Sequence, residues 1–115
     1  MEDCIFCKIA GGEIPVPFVY EDEQVVAFND AQPQAPVHVL IVPREHHSDP
    51  ADGVSPALAA ALMAAIPKVA EVAGVAASGY RVIINAGPDA RQSVPHLHIH
   101  VMGGGPMSHG MVTFS

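Results

Sequence analysis

An α+β fold is predicted for this chain of 115 residues. Three observations lead to it: five short apolar runs with strand-like alternation, one long apolar stripe with helical spacing, and a short helical turn near the start. The order is one helix, three strands, a long helix and two strands, which favours a mainly antiparallel five-stranded sheet with helices packed on it. A domain of this size has a small core, so a second subunit would help to stabilise it.

The first half of the chain contains a short helix and three predicted strands. Asp3 can cap a helix that runs to Ala10 and ends at Gly11-Gly12. Residues 18–21 and 25–29 have the pattern of a hairpin around a polar turn at residues 22–24. The Pro- and Gln-rich segment 30–36 is predicted to be a loop, and a third strand is predicted over residues 38–42, ending before Pro43.

The second half begins with a polar loop and a long helix. Ser55-Pro56 provides a hydroxyl cap followed by proline at the first helical position, and apolar residues three or four apart predict a helix to about Ala73. Pro67 lies inside it, where proline costs about 3 kcal/mol in a straight helix. We therefore expect a bend over residues 63–67 rather than two helices. Strands are predicted over residues 80–85 and 96–102, with a loop at 86–95.

The composition excludes several classes of partner. The net charge is −7 with only five Lys and Arg, so no nucleic acid polymer is expected, because binding its backbone requires a cationic surface. A mononucleotide remains possible, since backbone N–H groups and imidazoles can hold one phosphate. No apolar stretch approaches the roughly 18 residues of a membrane span. The start, MEDCIFCKIA, lacks the pattern of a signal peptide. We therefore expect no membrane association and a cytoplasmic location.

The segment His96-Leu97-His98-Ile99-His100 alternates imidazole with aliphatic side chains. On a strand this alternation places all three rings on one face. The outer two would be about 13 Å apart at Cα, so one metal ion bound by all three would require a strong bend. Histidines that only satisfy local hydrogen bonds are the alternative. The strict alternation instead favours transfer of a phosphorus group, because imidazole is nucleophilic, transfers protons near pH 7 and binds phosphate oxygens.

Cys4 and Cys7 are spaced so that their thiols share one side of a helical turn. Thiolates together with imidazoles form structural zinc sites. Free thiols and a redox pair are the alternatives. A redox pair would be supported by a thioredoxin-like βαβ pattern, which this chain lacks.

The run His96-Leu97-His98-Ile99-His100-Val101-Met102 resembles the motif of the histidine-triad (HIT) family, His-φ-His-φ-His-φ-φ with φ hydrophobic. Segments 4–9, 35–38, 41–46, 79–81 and 92–95 resemble its Hint branch, the nucleoside phosphoramidases, in order and at family spacing. The resemblance implies a HIT-like fold for residues 1–115 as a single domain, and a homodimer whose sheets join.

In that family the central histidine attacks the α-phosphorus of a nucleoside 5′-phosphoramidate, and water then releases the nucleoside monophosphate from a nucleotidyl-histidine. The resemblance implies that His98 is the nucleophile and that catalysis needs no cofactor. His100 and His38 would bind phosphate oxygens and assist proton transfer. Ser93 and Gln92 would lie at the scissile bond.

The resemblance also implies a site for a purine nucleoside monophosphate or phosphoramidate. Asn85 matches a phosphate-site position, and Asp30 matches the acid that accepts from the ribose hydroxyls. Without the resemblance, Asn85 and Ser93 would be ordinary turn residues. The apolar wall around the base, which would otherwise be plain core, is implied for Ile5, Phe6, Ile9 and Phe28.

A structural zinc ion is implied at Cys4, Cys7, His46 and His96, as in many bacterial-type relatives. His47 leaves the third ligand ambiguous. Two other functions stay open: a nucleotide- or zinc-binding module without turnover, and a dinucleoside polyphosphate hydrolase of the sister branch, which usually has Gln where His100 stands. The chain has no Trp, whereas the family members with the best-known tail carry a Trp near the C-terminus that closes over the leaving group. The leaving group and the role of the tail 107–115 therefore stay open.

Overall fold

The computed structural model describes residues 3–108, which form a five-stranded antiparallel sheet with a helix on each face. The strands lie in the order β1-β2-β3-β5-β4. This arrangement confirms the predicted α+β class with a short N-terminal helix and one long helix. The elements are α1 (Ile5–Ala10), β1 (Tyr20–Glu21), β2 (Val25–Asn29), β3 (Val37–Pro43), α2 (Pro56–Val72), β4 (Tyr80–Ile84) and β5 (Ile99–Gly103).

Two apolar cores lie on opposite faces of the central strands. In β3, Val39 and Ile41 pack in the core beneath α2, whereas Leu40 and Val42 pack in the core beneath α1. Successive side chains of a strand point to opposite faces, so a run that is apolar throughout identifies a strand covered on both sides. The α1 side therefore has its own core.

The last strand keeps the predicted alternation but is shorter than predicted. Leu97, Ile99 and Val101 pack in the core beneath α2, and His100 pairs with Leu40 on the other face. The strand begins at Ile99 and not at His96. The reason is a long-range hydrogen bond, because the Leu97 N–H donates to the His47 carbonyl at 2.6 Å instead of to a neighbouring strand.

Other boundaries differ by a few residues from the predictions. Helix α1 is capped by Cys4 and not by Asp3, since the Cys4 Sγ accepts the Cys7 N–H at 3.4 Å. β1 begins at Tyr20 rather than at residue 18. β3 extends one residue beyond each predicted end, and β4 ends one residue earlier. A terminal proline is tolerated in β3 because a strand end need not donate a hydrogen bond.

Helix α2 starts and continues as its sequence predicts. The Ser55 Oγ accepts the Leu58 N–H at 3.1 Å, and Pro56 is the first helical residue. One helix runs through Pro67 to Val72, so the prediction of a single helix is confirmed, while the bend stays a prediction. Within residues 3–108, no helix combines the length and apolarity needed to cross a bilayer.

Candidate active site

A cavity of about 400 Å³ opens on the α1 face of the sheet, beside His98 and His100. Two carboxylate- or hydroxyl-bearing residues predicted to contact a nucleotide, Asp30 and Ser93, also line it. The apolar wall contains all four residues expected to surround the base, together with four that sequence reasoning did not identify: Ile5, Phe6, Ile9 and Phe28, with Val16, Ala31, Leu40 and Val94.

His98 is held in one tautomer by the main chain. Its Nδ1–H donates to the His96 carbonyl oxygen at 2.7 Å, so the lone pair of the neutral ring is on Nε2. The ring is 3% exposed and lies edge-on to Phe6, with 5.1 Å between the ring centroids. A neutral imidazole with a free nitrogen beside a cavity has the requirements of a nucleophile.

His38 and His100 form a directed chain of hydrogen bonds. The Gln34 N–H donates to His38 Nδ1 at 3.0 Å, so the proton of His38 is on Nε2. That nitrogen lies 2.8 Å from His100 Nδ1 and 3.4 Å from an oxygen of Asp30. His100 then accepts at Nδ1 and carries its proton on Nε2. The Nε2 atom is buried and has no hydrogen-bond partner among the described residues, so it can donate to a bound anion.

Burial keeps both rings neutral near pH 7. It lowers the pKa of His100 to about 4, and repulsion from His98 and His38 acts in the same direction. Burial also lowers the pKa of His38, against the opposing attraction of Asp30. An anionic phosphate beside these rings would stabilise their protonated forms and raise both pKa values.

Asp30, His38 and His100 also lie close enough together to suggest a metal site. A metal ion on His38 Nε2 would move the ring proton to Nδ1, where the Gln34 N–H already donates. The 2.8 Å between the two ring nitrogens is also shorter than the roughly 3.3 Å between two nitrogen ligands of tetrahedral zinc. The geometry therefore favours a proton-transfer pair over a metal centre.

A second group brings together two thiols and two imidazoles: Cys4, Cys7, His46 and His96. His96 Nδ1 lies 3.3 Å from Cys4 Sγ and 3.4 Å from Cys7 Sγ, and His46 Nδ1 lies 3.2 Å from Cys7 Sγ. Sulfur and nitrogen ligands of tetrahedral zinc are about 3.5 Å apart. Small outward shifts would therefore admit the ion.

The protonation states of this group also suit a metal. His96 Nε2–H donates to the Pro43 carbonyl at 2.9 Å, which leaves the Nδ1 lone pair facing the sulfurs; metal-binding histidines usually have such a partner. Burial and the neighbouring Cys4 raise the pKa of Cys7 to about 11. The Cys7 thiol is therefore protonated near pH 7 until a cation stabilises the thiolate.

His47, the alternative third ligand, has other contacts. Its Nδ1–H donates to the Asp52 carbonyl at 2.6 Å, and its Nε2 lies 3.5 Å from Glu45. The structure therefore places His46, and not His47, beside the thiols. The sequence motif alone left the two adjacent rings ambiguous.

Two expected nucleotide-binding residues are not part of the cavity wall. The Gln92 amide donates to the carbonyl oxygens of Ser48 and Val94 and accepts from the Gly87 N–H, so it holds the loop that carries Ser93. Asn85 directly follows β4. The residues that sequence reasoning missed were partly detectable: Leu40 alternates in phase with Val42, whereas Val16 lies between two prolines and has no periodic signal.

Comparison with known proteins agrees with this arrangement. A family model described as the HIT domain matches residues 11–107. Protein HitA of Neisseria gonorrhoeae is 42% identical over 105 residues, which cover 90% of this chain and 97% of the relative. A HIT family hydrolase from Clostridium thermocellum superposes with a TM-score of 0.89 at 43% identity, covering 97% of this chain and 99% of that chain. A histidine triad nucleotide-binding protein from Candida albicans has a TM-score of 0.81 at 30% identity, covering 92% and 84%.

Proposed function

Because the chain belongs to the HIT domain family, we propose that it is a nucleotide-binding hydrolase of the Hint branch. Its substrates would be nucleoside 5′-phosphoramidates of the AMP-amine or AMP-lysine type. The hydrolase and nucleotide-binding descriptions of its structural relatives support the general activity. The observation that carries the proposal is the state of His98, whose proton is held on Nδ1 while Nε2 is left with a lone pair beside the cavity.

The cavity gives each part of the substrate a suitable surface. A purine would lie against the apolar wall, which includes Phe6 and Phe28, and the ribose hydroxyls would donate to Asp30. His100, supported by His38, would donate to the phosphate, with Ser93 at the scissile bond. Gln92 would act by holding the Ser93 loop. A phosphate-site role for Asn85 rests on the family resemblance.

In the first step, His98 Nε2 forms a bond to the α-phosphorus, and the bond from phosphorus to the amine breaks. The departing nitrogen needs one proton. The phosphate anion raises the pKa of the His38–His100 pair, so the pair takes up a proton when substrate binds, and His100 Nε2–H passes it to the amine. The products are a neutral amine, a neutral pair and a nucleotidyl-His98 with opposite charges on its ring and phosphate.

In the second step, water attacks the phosphorus and the bond to His98 Nε2 breaks. One proton of the water stays on the nucleoside monophosphate, and the other goes to His100, which regenerates the proton donor. His98 returns to its neutral tautomer with the proton on Nδ1. The His38–His100 pair is the proton donor in the first step and the proton acceptor in the second, and neither step needs a metal ion.

The direct test is turnover of adenosine 5′-phosphoramidate with a phosphorus-labelled substrate. We expect AMP release and, in rapid quench, labelled protein that is absent from His98→Ala, a variant expected to lose at least about a thousandfold in rate. The melting temperature of His98→Ala shows whether it is folded. Binding of AMP without turnover or label would identify a binding module instead. Preference for dinucleoside polyphosphates over phosphoramidates would indicate the sister branch.

We further propose that Cys4, Cys7, His46 and His96 bind a structural zinc ion. All four ligands come from the protein, so no position is left for a reacting water, and the ion would stabilise the fold by joining α1 to the segment before β5. Supporting this, the His96 tautomer presents its Nδ1 lone pair to both sulfurs.

Metal analysis tests the zinc proposal with a matched pair of variants. We expect about one equivalent of zinc per chain in the parent and in His47→Gln, and less than half in His46→Gln. A chelator should lower the melting temperature of the first two proteins only. Equal zinc content in both variants, or none in the parent, would show that this ligand set is wrong.

The remaining parts of the proposal concern partners and location. The charge of −7 supports a small nucleotide over a nucleic acid polymer. Thiol ligands persist in a reducing compartment, which supports the cytoplasm. A homodimer is proposed at the open edge of β4, where Val82 and Ile84 are exposed.

A further inference from the structure

A second and larger cavity adjoins the first. It has a volume of about 610 Å³ and meets the nucleotide cavity at Ile5, Ser93 and Val94, which line both. Ser93 is the residue proposed at the scissile bond. Attacking and leaving atoms lie roughly in line in phosphoryl transfer, so the leaving group departs on the side of the phosphorus away from His98. The wall shared at Ser93 makes the second cavity the candidate to receive it.

The wall of the second cavity has a distinctive chemistry. Asp3 supplies a carboxylate, and Ser48 and Ser93 supply hydroxyls. In the part of the chain that the structure describes, no Lys or Arg lines this cavity; Lys8 and Arg91, close to it along the sequence, are outside its wall. Ile5 adds apolar surface and is 48% exposed. Cys4 and His46, two of the proposed zinc ligands, also line the cavity. The cavity thus combines an apolar entrance with one acidic side chain, that of Asp3.

We propose that this second cavity binds the leaving group and selects amines that carry a second, positively charged group some atoms away from the scissile nitrogen. The proposal rests on the phosphoramidase function. The methylene chain of such an amine would pass along Ile5 and Val94, and its distant cation would approach the Asp3 carboxylate. Asp3 is then a specificity residue that contacts substrate but takes no part in bond breaking.

Three substrates that differ only at the far end of the leaving group test the proposal. Adenosine 5′-phosphoramidates of cadaverine, pentylamine and aminopentanoate present a cation, no charge and an anion on chains of similar length. We expect kcat/KM to decrease in that order, by about two- to fivefold at each step, as for an exposed charge pair, since Asp3 is exposed. The differences should diminish as salt is raised, because the Debye length falls to about 3 Å at 1 M.

Variants assign the effect to one residue. Within each variant, the ratio of kcat/KM for the cadaverine and pentylamine substrates should approach one in Asp3→Asn and fall below one in Asp3→Lys. Glu71→Gln is the matched control: it removes the same unit of charge from exposed α2, on the other face of the sheet, and should keep the parent ratio.

The outcomes separate the two proposals. If the parent does not hydrolyse even unsubstituted adenosine 5′-phosphoramidate, the phosphoramidase function is wrong and this inference falls with it. If the parent turns over all substrates at similar kcat/KM, or prefers aminopentanoate, only the leaving-group inference is overturned. Should the Asp3 variants melt at a lower temperature, the ranking of the three substrates and its salt dependence in the parent still decide the question.

Discussion

At the scale of single residues, backbone hydrogen bonds give similar histidines different chemistry. The His96 carbonyl holds the proton of His98 on Nδ1, and the Pro43 carbonyl holds that of His96 on Nε2. In His38 the Gln34 N–H donates to Nδ1, so this ring carries its proton on Nε2. The three rings therefore present different atoms. His98 presents an Nε2 lone pair, which we propose attacks phosphorus, and His96 presents an Nδ1 lone pair, which we propose binds zinc; His38 presents an N–H to His100.

This division could be predicted only in part. The alternation in the sequence predicts that the three rings share a face, and family resemblance implies their roles. The partners of His98 and His38 are near in sequence, two and four residues away, but no residue pattern states which ring atom they contact. The partner of His96 is Pro43, 53 residues away, and no local pattern encodes such a contact.

The lowered pKa of His100 predicts a loss of stability in acid. An unfolded His titrates near 6.5, and burial lowers the pKa in the folded chain to about 4. Between these values the unfolded chain binds more protons, so unfolding becomes easier as pH falls. Because of this ring, the free energy of unfolding is expected to be about 2 kcal/mol lower at pH 5 than at pH 7.

Urea unfolding at both pH values checks this prediction, with His100→Gln as the variant. Gln does not titrate, so the free energy of unfolding should fall less on acidification than in the parent. Histidines that do not contact His100 contribute equally to both proteins and cancel in the comparison, whereas the coupling of His100 to its hydrogen-bonded neighbour His38 is included in the difference. An identical acid-induced loss in the two proteins would contradict the assigned pKa shift.

At the scale of elements, periodicity predicted which segments become helix or strand, and long-range hydrogen bonds decided where they end. All five strands and both helices were predicted in the right order. The N-terminal end of β5 was predicted too early because the Leu97 N–H donates to the His47 carbonyl. The cap of α1 was assigned to Asp3, whereas the Cys4 side chain accepts the Cys7 N–H. The residues around the cavity beside His98 were predictable to the same extent. The alternation in β3 indicated the position of Leu40. No sequence pattern indicated that the Gln92 amide bonds to the Ser48 carbonyl instead of lining the cavity.

Helix α2 predicts the effect of its internal proline. Pro67 is solvent-exposed, so Pro67→Ala loses little packing and restores an N–H at that position. We expect the free energy of unfolding to rise by about 1–3 kcal/mol. Proline inside a helix costs about 3 kcal/mol, and the stability it adds by restricting the unfolded chain is smaller than that. Pro56→Ala is the control, because proline is favoured at the first helical position and its loss should be neutral or slightly destabilising. Thermal unfolding measures both, and equal shifts in melting temperature would contradict the prediction.

At the scale of the whole molecule, the two edges of the sheet differ. β1 is a two-residue strand, whereas β4 is five residues long and is paired only with β5. Beside this edge, Val82 and Ile84 are 39% and 44% exposed, and Met63 on the adjacent flank of α2 is 67% exposed. A long apolar edge strand readily pairs with another chain. Two copies that pair through β4 would continue the sheet and cover these side chains.

The oligomeric state of edge variants tests this dimer. In light scattering coupled to gel filtration, the parent should have twice the mass of one chain. Ile84→Glu should dissociate it, because the carboxylate would be buried against the partner's apolar surface at a cost of several kcal/mol. Val72→Glu is the matched control: Val72 is 63% exposed, but it projects from the flank of α2 opposite to Met63, so its dimer should persist. A monomeric parent, or a dimer that survives Ile84→Glu with the wild-type dissociation constant, would exclude β4 as the interface.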